Sequence, residues 1–179
     1  MKHVWLIVVF LLLLTGCTSS TFEGHVKKVE DGDTVFVRSK GHLIAVRLAD
    51  IDTPEKKGNQ PYWKEAQKAL LKLIKKKNKE KHKKNKMWVK VKVVKENGYY
   101  GRLIGRIYIE KFDINAEMVR LGYAWAAKPK YLKDESMLKL EEEARLAKRG
   151  LWAGDSPIKP WEWRSEWRKR KKGLSKKEN

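Results

Sequence analysis

The chain has 179 residues, enough for one domain with appendages, and 41% of them are hydrophobic, so a core can form. Its 42 Lys and Arg residues outnumber 22 Asp and Glu, which gives a formal net charge of +20 and favours polyanions as partners, such as nucleic acid, anionic lipid or envelope polymers. The single Cys excludes a disulfide within one chain.

The N-terminus has the organisation of a secretory signal, because a basic start precedes an apolar run from Val4 to Leu14 and then small or polar residues. Eleven apolar residues are too few to span a bilayer comfortably. The following segment, Leu14-Thr15-Gly16-Cys17, resembles the lipobox of bacterial lipoproteins, in which cleavage before the Cys leaves it lipidated. An ordinary signal peptide with an incidental Cys is the alternative interpretation.

The lipobox resemblance divides the N-terminal region in two. Residues 1–16 are predicted to be a lipoprotein signal peptide, and residues 17–23 a linker that is lipidated at Cys17. Several acyl chains would give stable attachment. We therefore expect an extracytoplasmic protein that is lipid-anchored to the cell membrane or to the outer membrane.

Three short strands are predicted next, over residues 25–29, 33–38 and 43–49, with a turn between the first two. The stretch LADIDTPE, residues 48–55, then places three carboxylates within six positions of an otherwise basic chain. Acids gathered in this way could recruit a cation, which would face any polyanion that the surrounding positive charge attracts.

A helix is predicted over residues 62–77, because Ala66, Leu70 and Ile74 recur at four-residue spacing. The run KKKNKEKHKKNK at 75–86 contains eight Lys in twelve residues and cannot build a core. It is interpreted as a solvated loop, and a phosphate-binding arm is the alternative.

A hairpin follows, in which alternating valines lead to Asn97-Gly98, the strongest short hairpin signal of the chain, and a return strand runs to Ile109. Short helices are predicted over 114–122 and 134–150. Five short strands with helices between and after them indicate an α+β fold, a small closed barrel rich in antiparallel pairs.

The C-terminal part, residues 153–179, is a Trp-rich basic tail that contains Trp161, Trp163 and Trp167. Two prolines discourage a continuous helix there, and the last eleven or so residues are expected to be disordered. The three Trp side chains could pack on the domain, lie at a lipid interface or stack on bases, and packing is the favoured interpretation.

Four motifs, GHVKKVEDGDTVFV, VRLADIDTPE, YYGRLIGRIYI and INAEMVRLGYA, resemble the staphylococcal nuclease (thermonuclease) family in order and in approximate spacing. The resemblance covers residues 24–152. It implies a five-stranded β-barrel of the oligonucleotide-binding (OB-fold) type with three α-helices. It also implies a Ca²⁺-dependent phosphodiesterase that cuts DNA and RNA and leaves 3′-phosphates.

The same resemblance implies a role for individual residues. Asp33, Asp52 and Thr53 match the metal ligands, with Asp31 as a nearby supporting acid. Glu55 matches the general base, and Arg47 and Arg102 match the arginines that clamp the phosphate. Tyr100 matches a tyrosine near the phosphate, and Tyr99 stands beside it where the family often has a charged residue.

The chemistry of these residue types agrees with such a site. Phosphodiester hydrolysis needs an oriented water, a proton acceptor and positive charge opposite the phosphoryl oxygens. Two carboxylates and a carbonyl suit Ca²⁺, with an affinity on the order of 10⁻⁴ to 10⁻³ M as in other extracellular modules. Planar arginine forks match the phosphoryl oxygens better than lysine does.

Each of these motifs also has an ordinary explanation when it is taken alone. Asp31-Gly32-Asp33 is a common turn, the segment from Asp52 to Glu55 could cap a helix, and Arg102 could be a surface charge. Asp50 is interpreted as a solvent or turn residue, and Arg106 as a decoy or an auxiliary phosphate contact.

One segment departs from the family pattern. YAWAAKPKY, residues 123–131, has small residues where the family usually offers tyrosines that stack on the base, and Trp125 or Tyr131 could replace them. We expect a monomer with DNA and RNA as substrates and a membrane contact through Cys17. The alternative function is a catalytically silent surface lipoprotein that binds nucleic acid or another polyanion by charge.

Overall fold

The structure is a computed structural model that describes residues 20–81, 87–96, 98, 101–154 and 157–175. The predicted signal peptide, the predicted lipidation site Cys17 and the two candidate substrate residues Tyr99 and Tyr100 lie outside these residues. Within the described part of the chain, no helix combines the length and the apolar character needed to cross a membrane.

Five strands form a closed barrel. They are β1 (Thr21–Val29), β2 (Thr34–Ser39), β3 (His42–Leu48), β5 (Trp88–Lys95) and β6 (Leu103–Ile109), and three two-residue strands, β4 (Ile51–Asp52), β7 (Phe112–Asp113) and β8 (Trp125–Ala126), accompany them. The order β3-β2-β1-β5-β6 is antiparallel throughout, and a parallel pairing of β3 with β6 closes the barrel. The five-stranded α+β barrel predicted from the sequence is confirmed.

The alternation of valine and lysine in β5 shows why the sheet closes. Val89, Val91 and Val93 are buried, whereas Lys90 and Lys92 between them are exposed. Because successive side chains of a strand point to opposite faces, one face of each strand is apolar and needs cover. Closure of the barrel buries these faces together.

The described residues contain four α-helices where three were predicted. They are α1 (Trp63–Lys81), α2 (Ile114–Arg120), α3 (Ser136–Leu146) and α4 (Pro160–Ser175), and a short 3-10 helix spans Gly150–Ala153. The prolines were expected to discourage a continuous helix in the tail, but α4 begins at Pro160 and runs to Ser175. Proline is tolerated at the start of α4, since the first N–H groups of a helix have no intrahelical acceptor. The expectation of disorder was therefore wrong for residues 169–175.

Helix α1 also runs further than predicted. It continues to Lys81, so residues 75–81 of the Lys-rich run are helical and the loop interpretation was wrong for them; residues 82–86 lie outside the described chain. Asn78 is the reason, because its buried side chain donates to the Ile74 carbonyl (3.0 Å) and accepts from the Trp88 N–H (2.8 Å). The helix is thereby joined to the start of β5.

Helix α2 is tied to the barrel beside the acidic stretch. Asp113 caps it by accepting from the Ala116 N–H at 3.0 Å. Asn115, fully buried, accepts from the Ile107 N–H (3.0 Å) and donates to the carbonyls of Ala49 (2.9 Å) and Gly105 (3.3 Å). The Asn115 side chain of α2 therefore holds the turn between β3 and β4.

Candidate active site

The acid of the first turn and the acidic stretch meet in space. Asp33 lies directly before β2, and its Oδ2 accepts from the Thr53 N–H (3.1 Å) and from the Thr53 hydroxyl (2.9 Å). Both side chains are buried, with 5% exposure for Asp33 and 2% for Thr53. The Asp33 carbonyl also accepts from the Leu48 N–H at 2.7 Å, so the turn and the end of β3 hold each other in place.

Arg47 joins two of the acids. It lies in β3, paired in register with Thr34 of β2, and its guanidinium forms an ion pair with Asp33. Its Nη2 donates to Asp52 Oδ1 at 2.8 Å. The predicted phosphate-clamping arginine therefore bridges the two predicted carboxylate ligands.

A second arginine reaches the same acids from the C-terminal helix. Arg164 of α4 donates from Nη2 to Asp52 Oδ2 (2.7 Å) and from Nη1 to Asp52 Oδ1 (3.2 Å), and it forms an ion pair with Glu55. Sequence reasoning missed Arg164, which is 112 residues from Asp52 and 109 from Glu55. The Trp residues around it were the only signal, since they predicted packing of the tail on the domain.

Burial and these ion pairs shift the pKa values of the acids in opposite directions. Burial raises the pKa of Asp31, and the Asp33 carboxylate adds to the effect, so that this pKa is about 7. Burial also raises the pKa of Glu55, although Arg164 opposes the shift. For Asp33, burial is outweighed by Arg47 and by the Thr53 donors, so its pKa lies below the ordinary value.

The neighbouring carboxylates raise the pKa values of both arginines, Arg47 and Arg164. Burial alone would lower the pKa of Arg47, but the carboxylates of Asp33 and Asp52 outweigh it and raise the pKa. Asp52 and Glu55 raise the pKa of Arg164 against burial in the same way. Both guanidiniums therefore stay charged, and the cluster holds positive and negative groups within hydrogen-bonding distance of each other.

The other predicted site residues are placed less directly. Asp31 lies at the edge of the cluster, where its Oδ1 accepts from the Asp33 N–H at 3.1 Å. Arg102 is placed through its backbone: it precedes Leu103, which pairs with Val46, the neighbour of Arg47 in β3. The structure thus brings Asp31, Asp33, Arg47, Asp52, Thr53 and Glu55 together, sets Arg102 at the adjoining strand and does not describe Tyr99 or Tyr100.

Asp50 and Arg106 belong to a separate structural cluster. Asp50 is buried with 5% exposure and accepts from the Lys133 N–H at 2.6 Å, so interpreting it as a solvent residue was wrong. The alternative interpretation as a turn residue is confirmed, because Asp50 lies in the turn between β3 and β4 with a positive φ of 64°. Arg106 pairs with Asp113 (2.9 Å) and with Asp134, and it approaches Asp50 at 3.7 Å. Arg106 is therefore engaged in holding loops to the barrel and is not directed at the acids of the site.

The two aromatic candidates for base stacking differ in exposure. Trp125 is only 1% exposed and packs edge-on against Trp152, with ring centroids 5.4 Å apart. It cannot stack on a base without leaving the core. Tyr131 is 50% exposed and remains the candidate.

The donor set agrees with a hard cation such as Ca²⁺. Asp33 and Asp52 bring carboxylate oxygens to one buried cluster, and Thr53 adds oxygen donors to it. Over the described ranges, no three His, Cys, Asp or Glu side chains are grouped so as to hold a metal ion. A cation at this site would therefore depend on two carboxylates and Thr53, with water or substrate oxygens completing its shell.

Comparisons with known proteins agree with the fold. The sequence profile of the family described as Staphylococcal nuclease homologue matches residues 45–154. A Haemophilus influenzae protein named as an uncharacterized endonuclease is 36% identical over 161 residues, covering 89% of this chain and 83% of the relative. An Escherichia coli O157:H7 protein of the same name is 35% identical over 142 residues (79% and 84%).

A third relative carries a more specific name. The micrococcal nuclease of Shigella flexneri is 35% identical over 157 residues, covering 80% of each chain. With the closed five-stranded barrel, these matches assign the fold class and the family together. The chain belongs to the staphylococcal nuclease family, as its motifs predicted.

Proposed function

We propose that this protein is a Ca²⁺-dependent endonuclease that hydrolyses phosphodiester bonds of DNA and RNA and leaves 3′-phosphate products. The observation that carries the proposal is the convergence of Asp33, Arg47, Asp52 and Glu55 on one cluster from separate strands and loops. Relatives named as endonucleases and as micrococcal nuclease support the reaction class. The net charge of +20 supports a polyanionic substrate.

Glu55 is the proposed proton acceptor. Its raised pKa brings it closer to the range in which a carboxylate takes a proton efficiently from an attacking water, and a positioned base contributes roughly 10²- to 10⁴-fold in rate. The backbone of Glu55 is fixed, because its N–H donates to Gln60 Oε1 at 2.8 Å. The carboxylate can therefore be held toward the cluster while it accepts the proton.

Asp33, Asp52 and Thr53 are the proposed calcium ligands. A bound Ca²⁺ would polarise the phosphoryl group and offset its developing charge. Arg47 donates to the carboxylates of Asp33 and Asp52, so its guanidinium is held beside the proposed ligands, where it would face the phosphoryl oxygens of a substrate. Arg102, which directly precedes the neighbouring strand β6, is proposed as the second phosphate donor. One preorganised donor of this kind is worth about 3 to 4 kcal/mol.

The direct test is a cleavage assay with the full chain in mild detergent on single-stranded DNA and on RNA. Calcium should support cutting of both substrates, EGTA should abolish it, and enzymatic end-labelling should identify 3′-phosphates. Asp52→Asn, which keeps the size of the side chain but removes its charge, should lose most of the activity. Binding without calcium-dependent cutting would instead indicate a silent nucleic-acid-binding module.

We also propose that Cys17 is lipidated after removal of residues 1–16, so that the nuclease is anchored outside the cytoplasmic membrane. The order of the basic start, the apolar run and the Cys supports this. Cells fed a labelled fatty acid should incorporate it into the wild-type protein and not into Cys17→Ser, which should be released from the membrane fraction. Equal labelling of Cys17→Ser would reject the lipid anchor.

A further inference from the structure

The C-terminal helix α4 contacts the side chain of the proposed base. The guanidinium of Arg164 spans two carboxylates, donating to both oxygens of Asp52 and pairing with Glu55. Arg47 also donates to Asp52, so the Asp52 carboxylate has two arginine partners, whereas the Glu55 carboxylate is held by Arg164. The orientation of Glu55 therefore depends on α4 more than that of Asp52 does.

The same C-terminal segment also holds the backbone of Glu55. Gln60 is 2% exposed, and its Oε1 accepts from the Glu55 N–H (2.8 Å) while its Nε2 donates to the Ile158 carbonyl (2.7 Å). The Gln60 N–H in turn donates to the Glu55 carbonyl at 3.1 Å. The buried residue Gln60 thus contacts both backbone groups of Glu55, and its side-chain amide links the Glu55 N–H to the segment that leads into α4.

Two tryptophans of α4 fix the loop between Glu55 and Gln60. Trp163 Nε1 donates to the Lys57 carbonyl at 3.2 Å, and the Lys57 ammonium lies 4.7 Å from the centroid of Trp167. Gly58 has a φ of +81°, and a Cβ added to it would lie 2.5 Å from Trp167 Cδ1. Only glycine allows the loop and the indole to approach this closely.

We propose that α4 is an integral part of the active site and that Arg164 is a positioning residue, which holds the Glu55 carboxylate beside Asp52. The inference rests on the proposed function and extends it, since it assigns a role to a helix that begins after the last residue, 154, of the family match. A planar guanidinium can bridge two carboxylates through separate N–H groups, which a lysine ammonium does less well. Arg164 acts on the reaction through Glu55.

The test compares Arg164→Ala, Arg164→Lys and the control Arg168→Ala in the full chain. Arg168 is exposed on the same helix, one turn further on, so the control removes the same charge from α4 without touching the acids. Displacement of a catalytic group by about 1 Å can cost on the order of 10²-fold in rate. We expect kcat to fall roughly 10- to 100-fold in Arg164→Ala, with KM for DNA within about threefold of wild type.

Two further results separate positioning from a general structural effect. Guanidinium ion at tens of millimolar should restore part of the activity of Arg164→Ala and none to Arg168→Ala. Trp167→Ala, which weakens the docking of α4 but leaves every charge in place, should also lower kcat. Should Arg164→Ala fail to fold by circular dichroism, Arg164→Lys and Trp167→Ala still decide the question by their kcat.

A readout without metal makes the inference independent of turnover. In EGTA, hydrogen exchange at residues 55–60 should accelerate at least tenfold in Arg164→Ala and in Trp167→Ala, and not in Arg168→Ala. Unchanged kcat and exchange in Arg164→Ala would refute the positioning role. A rise in kcat, or activity at lower calcium, would also overturn it, because Arg164 would then be a competitor for the carboxylates.

The two proposals fail in different ways. If the wild type does not cut nucleic acid in calcium, the proposed nuclease function has failed and the catalytic role of Arg164 with it. If the wild type and Arg168→Ala cut normally and Arg164→Ala does so too, only the positioning role has failed.

Discussion

Replacement of Asn115 by Ala tests whether a single buried amide holds the turn that leads into the acidic stretch. The Asn115 side chain accepts from the Ile107 N–H and donates to the carbonyls of Ala49 and Gly105. Gly105 keeps a donor after the change, because the Ala49 N–H also reaches its carbonyl at 2.8 Å. The Ile107 N–H and the Ala49 carbonyl both lose the Asn115 amide as a partner.

The magnitude follows from these two groups. An unsatisfied buried donor or acceptor costs about 1 to 3 kcal/mol, so two of them, with the weaker loss at Gly105, should lower the free energy of unfolding by about 3 to 5 kcal/mol. This is a large part of the 5 to 15 kcal/mol that typically stabilises a domain. Urea denaturation followed by Trp fluorescence measures it, provided that the m-value of the variant is unchanged.

A matched asparagine supplies the control. Asn59 is exposed, has a φ of 54° and accepts from the Trp63 indole at 2.6 Å, so Asn59→Gly removes one exposed hydrogen bond without straining the backbone. We expect it to cost less than about 1 kcal/mol. If Asn115→Ala costs no more than this control, water or rearrangement satisfies the freed groups and the reasoning is refuted.

Three further predictions concern the cluster and its surroundings. Glu55→Gln should bind nucleic acid with unchanged affinity while its kcat falls roughly 10²- to 10⁴-fold, and unchanged turnover in a cleavage assay would remove Glu55 as the base. Arg47→Lys should lose at least tenfold in kcat/KM, because an ammonium cannot offer a planar fork to the phosphoryl oxygens as the guanidinium does; wild-type kinetics would refute a specific need for the fork. Hydrogen bonds from Ser136 and then Arg106 lower the pKa of Asp134 against the effect of burial. Because this folded-state pKa lies below the unfolded one, the stabilisation is present above about pH 4 and is lost as the pH falls through the folded pKa. Asp134→Asn should therefore reduce the unfolding free energy at pH 7, by roughly 1 kcal/mol after allowance for solvent screening, and much less at pH 2, whereas an equal loss at both pH values in urea titrations would contradict this linkage.

Much of the barrel could be predicted because its signals are local. The alternation of Val89, Val91 and Val93 with lysines marks a strand with one buried face, whatever else the chain does. The placement of Asp33 and Asp52 also followed from local order, since Asp33 directly precedes β2 and Asp52 comes soon after the end of β3, the strand that pairs with β2. Short-range pattern and turn chemistry were sufficient for these features.

The features that were missed depend on contacts between distant parts of the chain. Arg164 is one of many basic residues in the tail, and nothing in its neighbourhood distinguishes it from Arg168 until the helix docks. Asn78 looked like part of a solvated Lys run, and only its contact with Trp88 makes it a buried helical residue. Tertiary hydrogen bonds of this kind override local composition, and the hydrophobic periodicity of the sequence does not predict them.

The pairing of β3 with β6, which closes the barrel, determines when the active site can assemble. Arg47 lies on β3, and Arg102 directly precedes β6, whose parallel pairing with β3 closes the sheet. That pairing joins strands more than fifty positions apart, as in Val46 with Leu103, so it forms only when the whole barrel has folded. In a nascent chain these residues would lie far apart, so the nucleic acid of the producing cell would meet no assembled site before folding is complete.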